Sequence, residues 1–452
     1  MKIYTMNKTM NKTIEVARIA AKGDTIKYEL RDHTDMGLLR KPAVEAWVKF
    51  HNADSFGFSA EGLPESILLI PITLYLYPIT YFYGVELVVP SMDKELHEAL
   101  PSIYEAYSKI YGPFKEEWRG KVTAGTVVEN RLPESRFDKV VFFSGGVDAV
   151  HTSINNPDKR SVLVSVPSIE AMAKSKKENP GEDFLKAKTV LIREFSSLIE
   201  SGWLVVVNNF MRDVFDDERI LRDLNEKFKL DSVAFRADGW LGIRYIGNMC
   251  SAAPFAYAMG IRFLIMGSTY EPIENKDGTN KDGAAPEFSD SMRFAGISFA
   301  EQEGIRTRRS QKVRNIIAHF NREDKKTKLW VCFDDGTSQC GECNKCIRTQ
   351  LNILCAGESP RDWGFERFSE KRFSRLVRAY AYGDNVRWLW DIIDSIDSDR
   401  AYPYCDDLLH WLKRIGYKEY RRRVVIFRNV KRLFKIHRYP HFVKVLFNRI
   451  FR

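Results

Sequence analysis

The sequence predicts an α/β fold with a doubly wound parallel sheet, and three observations carry that expectation. Strand-like and helix-like stretches alternate between about residues 134 and 360. A paired-glycine turn ends the first of those strands, and four closely spaced cysteines lie near the end of the same region. Such alternation favours parallel strands joined by crossover helices that cover both faces. Residues 1–133 read as an N-terminal α+β accessory domain, 134–360 as the domain that carries the chemistry, and 361–452 as a basic helical region.

With 44% apolar and 29% charged residues, the chain has the balance of a soluble globular protein rather than a disordered one. Three of its seven cysteines fall within residues 340–346, which points to a metal cluster in a reducing compartment and away from a secreted disulfide framework. No N-terminal stretch has the basic-then-apolar layout of a signal peptide, so a cytoplasmic location is expected. The formal charge of +10 is uneven. Residues 411–452 hold fourteen Lys/Arg and one acid, Glu419, and the preceding 410 residues net −3.

In the first 133 residues, Thr13–Ile19 and Thr25–Leu30 read as strands around the Gly23-Asp24 turn. Nineteen uncharged residues follow from Ile67 to Val85, long enough to span a bilayer. Pro71 and Pro78 interrupt them, Thr and Tyr are frequent, and no basic flank fixes an orientation, so the segment reads as proline-bent core. Val85–Val89 looks like a strand, and Leu96, Leu100, Ile103, Tyr104 and Tyr107 give Asp93–Tyr111 a helical apolar spacing. A further strand is expected over Lys121–Val128, and no catalytic constellation stands out in this part.

In the alternating region Val140–Phe143, Val162–Val166, Leu204–Asn208 and Arg262–Met266 read as strands, with helices over Phe184–Ile199 and Ile246–Met259. The polar, glycine-rich stretch Tyr270–Asp290 reads as a loop over a site at the strand ends.

The first strand runs into Ser144-Gly145-Gly146-Val147-Asp148-Ala149. Paired glycines let backbone N–H groups converge without Cβ obstruction, and a helix starting there adds its positive end. The result is a nest for an anion such as phosphate, placed outside the carboxyl end of a strand where ligands of such sheets sit. The Lys of a Walker loop and the G-x-G-x-x-G of a dinucleotide fold are both missing. His151, three residues beyond Asp148, shares its helix face and reads as a packed or solvated residue before an acid.

Ser-Gly-Gly-Val-Asp after a strand resembles the pyrophosphatase loop of the PP-loop ATPases. That resemblance implies the adenine nucleotide alpha hydrolase-like fold and cleavage of ATP between its α- and β-phosphates. It implies further that Ser144, Gly145, Gly146 and Val147 cradle the phosphates, with Asp148 helping to hold Mg²⁺. Ser144 and Asp148 are the candidate catalytic residues. The family pattern continues with Ser where this chain has Ala149, one hydroxyl fewer at the site.

Cys332, Cys340, Cys343 and Cys346 stand as C-x7-C-x2-C-x2-C, with Gly336 and Gly341 among them. Four thiolates at such spacings close a tetrahedral Zn²⁺ shell with no open position, a structural rather than catalytic site. An iron–sulfur cluster uses the same ligand set. A PP-loop followed by this spacing resembles the 7-cyano-7-deazaguanine synthase family of the queuosine pathway, over about residues 134–360. Arg244 and Asn248 approximate that family's Arg–Asn pair, and Asp290-Ser291-Met292-Arg293-Phe294 its substrate segment. The front domain and basic tail depart from the family, so the chain looks like a divergent relative.

The resemblance implies an ATP-dependent carbon–nitrogen ligase. It would adenylate a carboxylate, of a 7-deazaguanine-type acid or a protein, and convert the adenylate to an amide or nitrile. Relatives of this kind are associated with antiphage defence. Arg244, Arg293, Arg308, Arg309 and Lys312 are candidate cations for substrate or pyrophosphate, although each alone reads as a solvated surface charge. Two alternatives come from the tail, where Arg421-Arg422-Arg423, Lys431-Arg432 and Lys435 interleave with Phe427, Phe434, Phe442 and Phe447. A tRNA-modifying enzyme would use it on nucleic acid. A nucleotide-switched component of a complex would lay it on a protein or acidic membrane through Val424, Val425, Phe427, Leu433 and Phe434.

Overall fold

The structure, a computed structural model, describes residues 12–112, 114–167, 180–226, 240–268, 286–300, 307–332, 338–381, 386–396, 402, 406–420, 422–423 and 425–426. They form two compact units, Met1–Arg306 and Thr307–Arg452. The protein is α/β, and its first unit holds one large, mostly parallel sheet of eleven strands.

Eight strands form the body of this sheet: β1 Thr13–Lys22, β2 Thr25–Asp32, β3 Ala43–His51, β4 Glu86–Asp93, β5 Val122–Val128, β6 Lys139–Phe142, β7 Ser161–Ser165 and β8 Gly202–Asn208. Three short ones complete it: β9 Phe263–Ile265, β10 Arg293–Phe294 and β11 Ile297–Phe299. Across the sheet they run β10-β11-β9-β6-β7-β8-β3-β2-β1-β4-β5. The β1–β2 hairpin closes with Lys22 opposite Thr25, which leaves Gly23 and Asp24 as its turn. Gly23 takes φ +54°, a conformation that glycine adopts without a Cβ clash.

The two halves of the sheet bury themselves differently. In β2 and β3 buried and more exposed residues alternate, so one face carries the core. In β6, β7 and β8 consecutive residues are buried, because both faces are covered. Val140, Phe142, Val162, Val164, Leu204 and Val206 join the main core on one face. On the other, Phe143 stacks on Phe195 at 4.6 Å between ring centroids.

Five helices of this unit take labels here: α1 Lys94–Tyr111, α2 Val147–Asn155, α3 Pro180–Leu198, α4 Asp217–Glu226 and α5 Trp240–Met249. Asp93 caps α1 by accepting from the Leu96 N–H at 2.9 Å. The nineteen uncharged residues form short helical turns broken around Pro71 and Pro78, buried throughout up to Tyr83. Among the described residues no helix is long and apolar enough to cross a membrane. The segment lies so close to α5 that a Cβ on Gly247 would stand 2.6 Å from the Leu74 carbonyl oxygen.

The expected boundary at 133 does not separate compact units. β3 pairs antiparallel with β8 from Val48↔Asn208 to His51↔Val205, and Asn209 fixes that seam by accepting from the Trp47 N–H at 2.8 Å. A single core cluster runs from Ile14 to Phe299. The expected boundary at 360 also falls inside a unit. Residues 307–452 contain helices α6 Arg309–Arg322, α7 Asn344–Cys355, α8 Glu370–Ala381, α9 Val386–Ser395 and α10 Asp406–Ile415. Val313, Ile316, Phe320, Leu351, Phe373, Leu389, Ile392 and Leu409 are buried there. The four cysteines expected to share a domain with the glycine turn belong to this helical unit.

Candidate functional site

β6 hands directly into the turn. The Phe143 N–H still donates to the Val164 carbonyl at 2.8 Å, so the backbone stays on the sheet until the residue before Ser144. Ser144 is exposed, and Gly145 takes φ +81°, a conformation that favours glycine. Gly146 is extended, with φ −76° and ψ 167°, and is the N-cap of α2. A glycine at that place brings no side chain to cap the free N–H groups of the first helical turn. The Ser144 Oγ accepts from the Gly146 N–H at 3.3 Å, which draws the hydroxyl over the turn. Asp148 lies half-buried in the first turn of α2, and Val147 is packed in the core.

The sheet order gives this turn its setting. Of the parallel strands β6, β7, β8, β9 and β11, the first stands between the second and the fourth. The chain order therefore reverses beside β6, where loops after β6 and β9 leave adjacent strands. The backbone after β9 is close: a Cβ on Gly267 would lie 2.7 Å from both the Asp148 carbonyl oxygen and the Thr152 Oγ1. Most of the stretch from Tyr270 to Asp290, expected as a loop, lies outside the described residues; Pro286–Ser291 is helical.

One charged group beside the turn is not legible in the sequence. Lys188, on α3, is 9% exposed and donates from Nζ to the Ser144 carbonyl at 2.9 Å. Its Nζ also stands 5.7 Å from the centroid of the Phe184 ring. Forty-four positions separate Lys188 from Ser144, and no spacing motif joins them. Sequence offers only a lysine on an amphipathic helix, and the sheet brings it under the turn.

His151 is buried, with Nδ1 3.3 Å from the Asn155 Nδ2. Asn248 is buried in a polar knot at the end of β8, where the Asn208 Nδ2 donates to the Asn248 Oδ1 at 2.9 Å and to the Ser251 Oγ at 3.0 Å. Arg244 is fully buried, which corrects its reading as a solvated charge. Its Nη1 donates to the Tyr75 hydroxyl at 2.8 Å and lies 3.1 Å from an Asp217 carboxylate oxygen, while the Trp240 ring centroid lies 4.4 Å from its guanidinium. Arg293 is exposed on β10, and Met292 and Phe294 beside it are buried.

Arg308, Arg309 and Lys312 start α6 in the second unit. Arg308 pairs with Asp394 at 3.5 Å, and Arg309 and Lys312 are buried rather than solvated. Asp391 accepts from the Ser310 N–H at 3.1 Å and its Oγ at 3.3 Å; burial holds the Asp391 carboxyl above its usual range.

The four cysteines do converge. One sulfur from each of Cys332, Cys340, Cys343 and Cys346 lies within 4.8 Å of the others. The Cys340 and Cys346 Sγ atoms are 3.8 Å apart, the edge of about 3.8 Å that a tetrahedron with Zn–S bonds of about 2.3 Å requires. The Cys340 Sγ accepts from the N–H groups of Glu342 at 3.4 Å and Cys343 at 3.2 Å, with Gly341 turning between them at φ +75°. Such donors stabilise a thiolate and fix its direction.

Gln339 ties the outlying ligand to this knuckle. Its Oε1 accepts from Val331 and Cys332 N–H groups at 3.2 and 3.1 Å, and its Nε2 donates to the Leu329 carbonyl at 2.6 Å. Burial, before any other cause, pushes the Cys340 thiol up to about 12. Hydrogen bonds from Cys332 and Cys343, then burial, raise Cys346 as well. Crowded thiols without a cation hold their protons; a divalent metal removes that penalty. The cluster suits a zinc-type ion.

Of the basic tail, residues 427–452, including Phe427, Lys431 and Phe434, lie outside the described residues. Glu419 accepts from Arg422 at 2.8 Å and Arg423 at 2.7 Å, and these cations draw its carboxyl down to about 2. Two of the three consecutive arginines are thus paired locally.

No protein-family model matches the chain, and no curated protein or solved structure matches it significantly.

Proposed function

We propose that the protein is an ATP-dependent ligase-like enzyme of the PP-loop type, on a doubly wound sheet. It would adenylate a carboxylate, release pyrophosphate and pass the acyl group to nitrogen. One observation carries this reading: Ser144-Gly145-Gly146-Val147-Asp148 bends from β6 into α2 at the reversal of strand order, with Gly145 left-handed and the helix start capped by glycine.

In this reading a substrate carboxylate oxygen attacks the α-phosphorus of ATP. The bond from that phosphorus to the bridging oxygen breaks, and pyrophosphate leaves with the electron pair. Backbone N–H groups of Gly145 and Val147, with the Ser144 hydroxyl that the Gly146 N–H holds over the turn, would neutralise charge that grows on the departing group. Asp148 has the place and charge to hold Mg²⁺, which would offset further charge there. An amine nitrogen then attacks the acyl carbon, expels AMP and gives up a proton, leaving an amide; an amide from ammonia, adenylated on its oxygen by a second ATP, can lose AMP and a proton to give a nitrile. Holding the reactants in line is the main contribution of the chain. The acid is a 7-deazaguanine-type acid or a protein carboxylate, the latter fitting an antiphage role. The four thiolates hold a structural Zn²⁺ and take no part in the steps.

The test is pyrophosphate release from ATP and Mg²⁺ with candidate acids, beside ATP binding. Absence of ATP binding by the zinc-loaded wild type overturns the reading. The net +13 of residues 411–452 favours a second reading, action on tRNA. RNA affinity that survives deletion of those residues removes it.

A further inference from the structure

We infer that Lys188 is a positioning residue for the turn: by holding the Ser144 carbonyl from behind, its ammonium aims the Gly145 N–H at the anion. The inference rests on the phosphate-binding reading of the turn and adds a residue that no motif in the sequence marks. The element that Lys188 holds is the peptide between Ser144 and Gly145. A trans peptide is planar, with its C=O and N–H pointing in opposite directions. Whatever holds the oxygen on one side therefore turns the hydrogen to the other.

Here the holder is the Lys188 Nζ, 2.9 Å from the Ser144 oxygen. Gly145, at φ +81°, has the freedom to turn this peptide either way, since glycine populates both signs of φ. A preformed anion nest needs that freedom removed, because ordering a loop at the moment of binding weakens affinity. On the next peptide the Gly146 N–H is bound to the Ser144 Oγ, and two peptides back the Phe143 N–H is bound to the Val164 carbonyl. The Ser144–Gly145 peptide has Lys188 as its anchor.

The lysine is well placed to act as a fixed strut. Its side chain is 9% exposed, it rises from the nineteen-residue α3, and its Nζ stands 5.7 Å from the Phe184 ring centroid. An exposed lysine would lose rotamer freedom on forming such a bond; this one is already held among packed neighbours. The ammonium also brings positive charge behind the turn, which strengthens an anion site in a partly dry environment.

The experiment compares wild type with Lys188→Met and Lys188→Ala in the full zinc-loaded chain. Pyrophosphate and ATP binding are measured by calorimetry, folding by thermal melting, and the Gly145 amide by selective ¹⁵N-glycine labelling. Lys188→Met, which keeps the stem, is expected to bind pyrophosphate at least tenfold more weakly and to move the Gly145 resonance, with the melting midpoint little changed. In Lys188→Ala, n-propylammonium is expected to restore part of the lost affinity. Undiminished pyrophosphate binding in Lys188→Met overturns the inference, as does a variant that fails to fold or an affinity that the amine does not restore. If wild type itself binds neither ATP nor pyrophosphate, the proposed function falls instead, and an unmoved Gly145 resonance in Lys188→Met would bring the inference down with it.

Discussion

The Ser144 turn and the cysteine knuckle use the same backbone element for opposite purposes. In the proposed nest, N–H groups around Gly145 and Gly146 would form the binding surface, with the Ser144 side chain drawn over the turn. In the knuckle, the N–H groups of Glu342 and Cys343 stand behind the Cys340 sulfur, and the side chains form the surface. Both need a left-handed glycine, Gly145 in one and Gly341 in the other. The lesson concerns tolerance to substitution: a site made of backbone survives the loss of one side chain in weakened form. A closed shell of four sulfurs does not.

The largest expected effect therefore falls on the knuckle. Cys343→Ser should remove bound zinc, from about one ion per chain to near none by elemental analysis. A structural zinc contributes on the order of 10 kcal/mol, as much as the whole stability of a typical domain, so residues 307–452 should lose cooperative melting. A variant that keeps both metal and melting breaks the comparison from this side.

Next comes Asp148→Ala, where a charged group rather than a backbone donor is lost. Pyrophosphate release should fall by about 10²–10³-fold, with folding unchanged. Full activity in this variant would remove Asp148 from the chemistry. Gly145→Ala asks about the backbone itself. A Cβ at φ +81° costs about 1–2 kcal/mol, and calorimetry should read roughly tenfold weaker ATP binding. If affinity does not move, the left-handed residue is not what shapes the nest.

The smallest effect should come from Ser144→Ala, which deletes a hydroxyl and leaves every N–H in place. A net hydrogen bond of about 1 kcal/mol predicts a loss of several-fold in ATP affinity. A collapse by orders of magnitude would show that side chains, not backbone, make the site.

Much of the local structure was legible in the chain. Strand spacing and the Gly23-Asp24 turn located β1 and β2, Asp93 with the spacing of Leu96 to Tyr107 located α1, and C-x7-C-x2-C-x2-C located the metal ligands. Two prolines and a run of tyrosines separated a buried bend from a membrane span. The short β10 and β11 escaped notice, since strands of two or three residues leave little periodicity to read; β3 was missed although Val44, Ala46, Val48 and Phe50 alternate with more exposed residues along it.

The sequence alone determined the features that close over a few residues: the glycine turn, the cysteine knuckle, the start of α1 at Asp93. Their physics is local, set by φ preferences, missing Cβ atoms and neighbouring donors. Tertiary structure alone decided what joins distant segments. It fused the two expected front domains through the β3–β8 ladder, and it buried Arg244 beside Tyr75 and Asp217. It also set Lys188 behind Ser144 and put the thiols in a different unit from the turn. Such pairings depend on which surfaces exclude water together, and that is a property of the assembled core rather than of any stretch of chain.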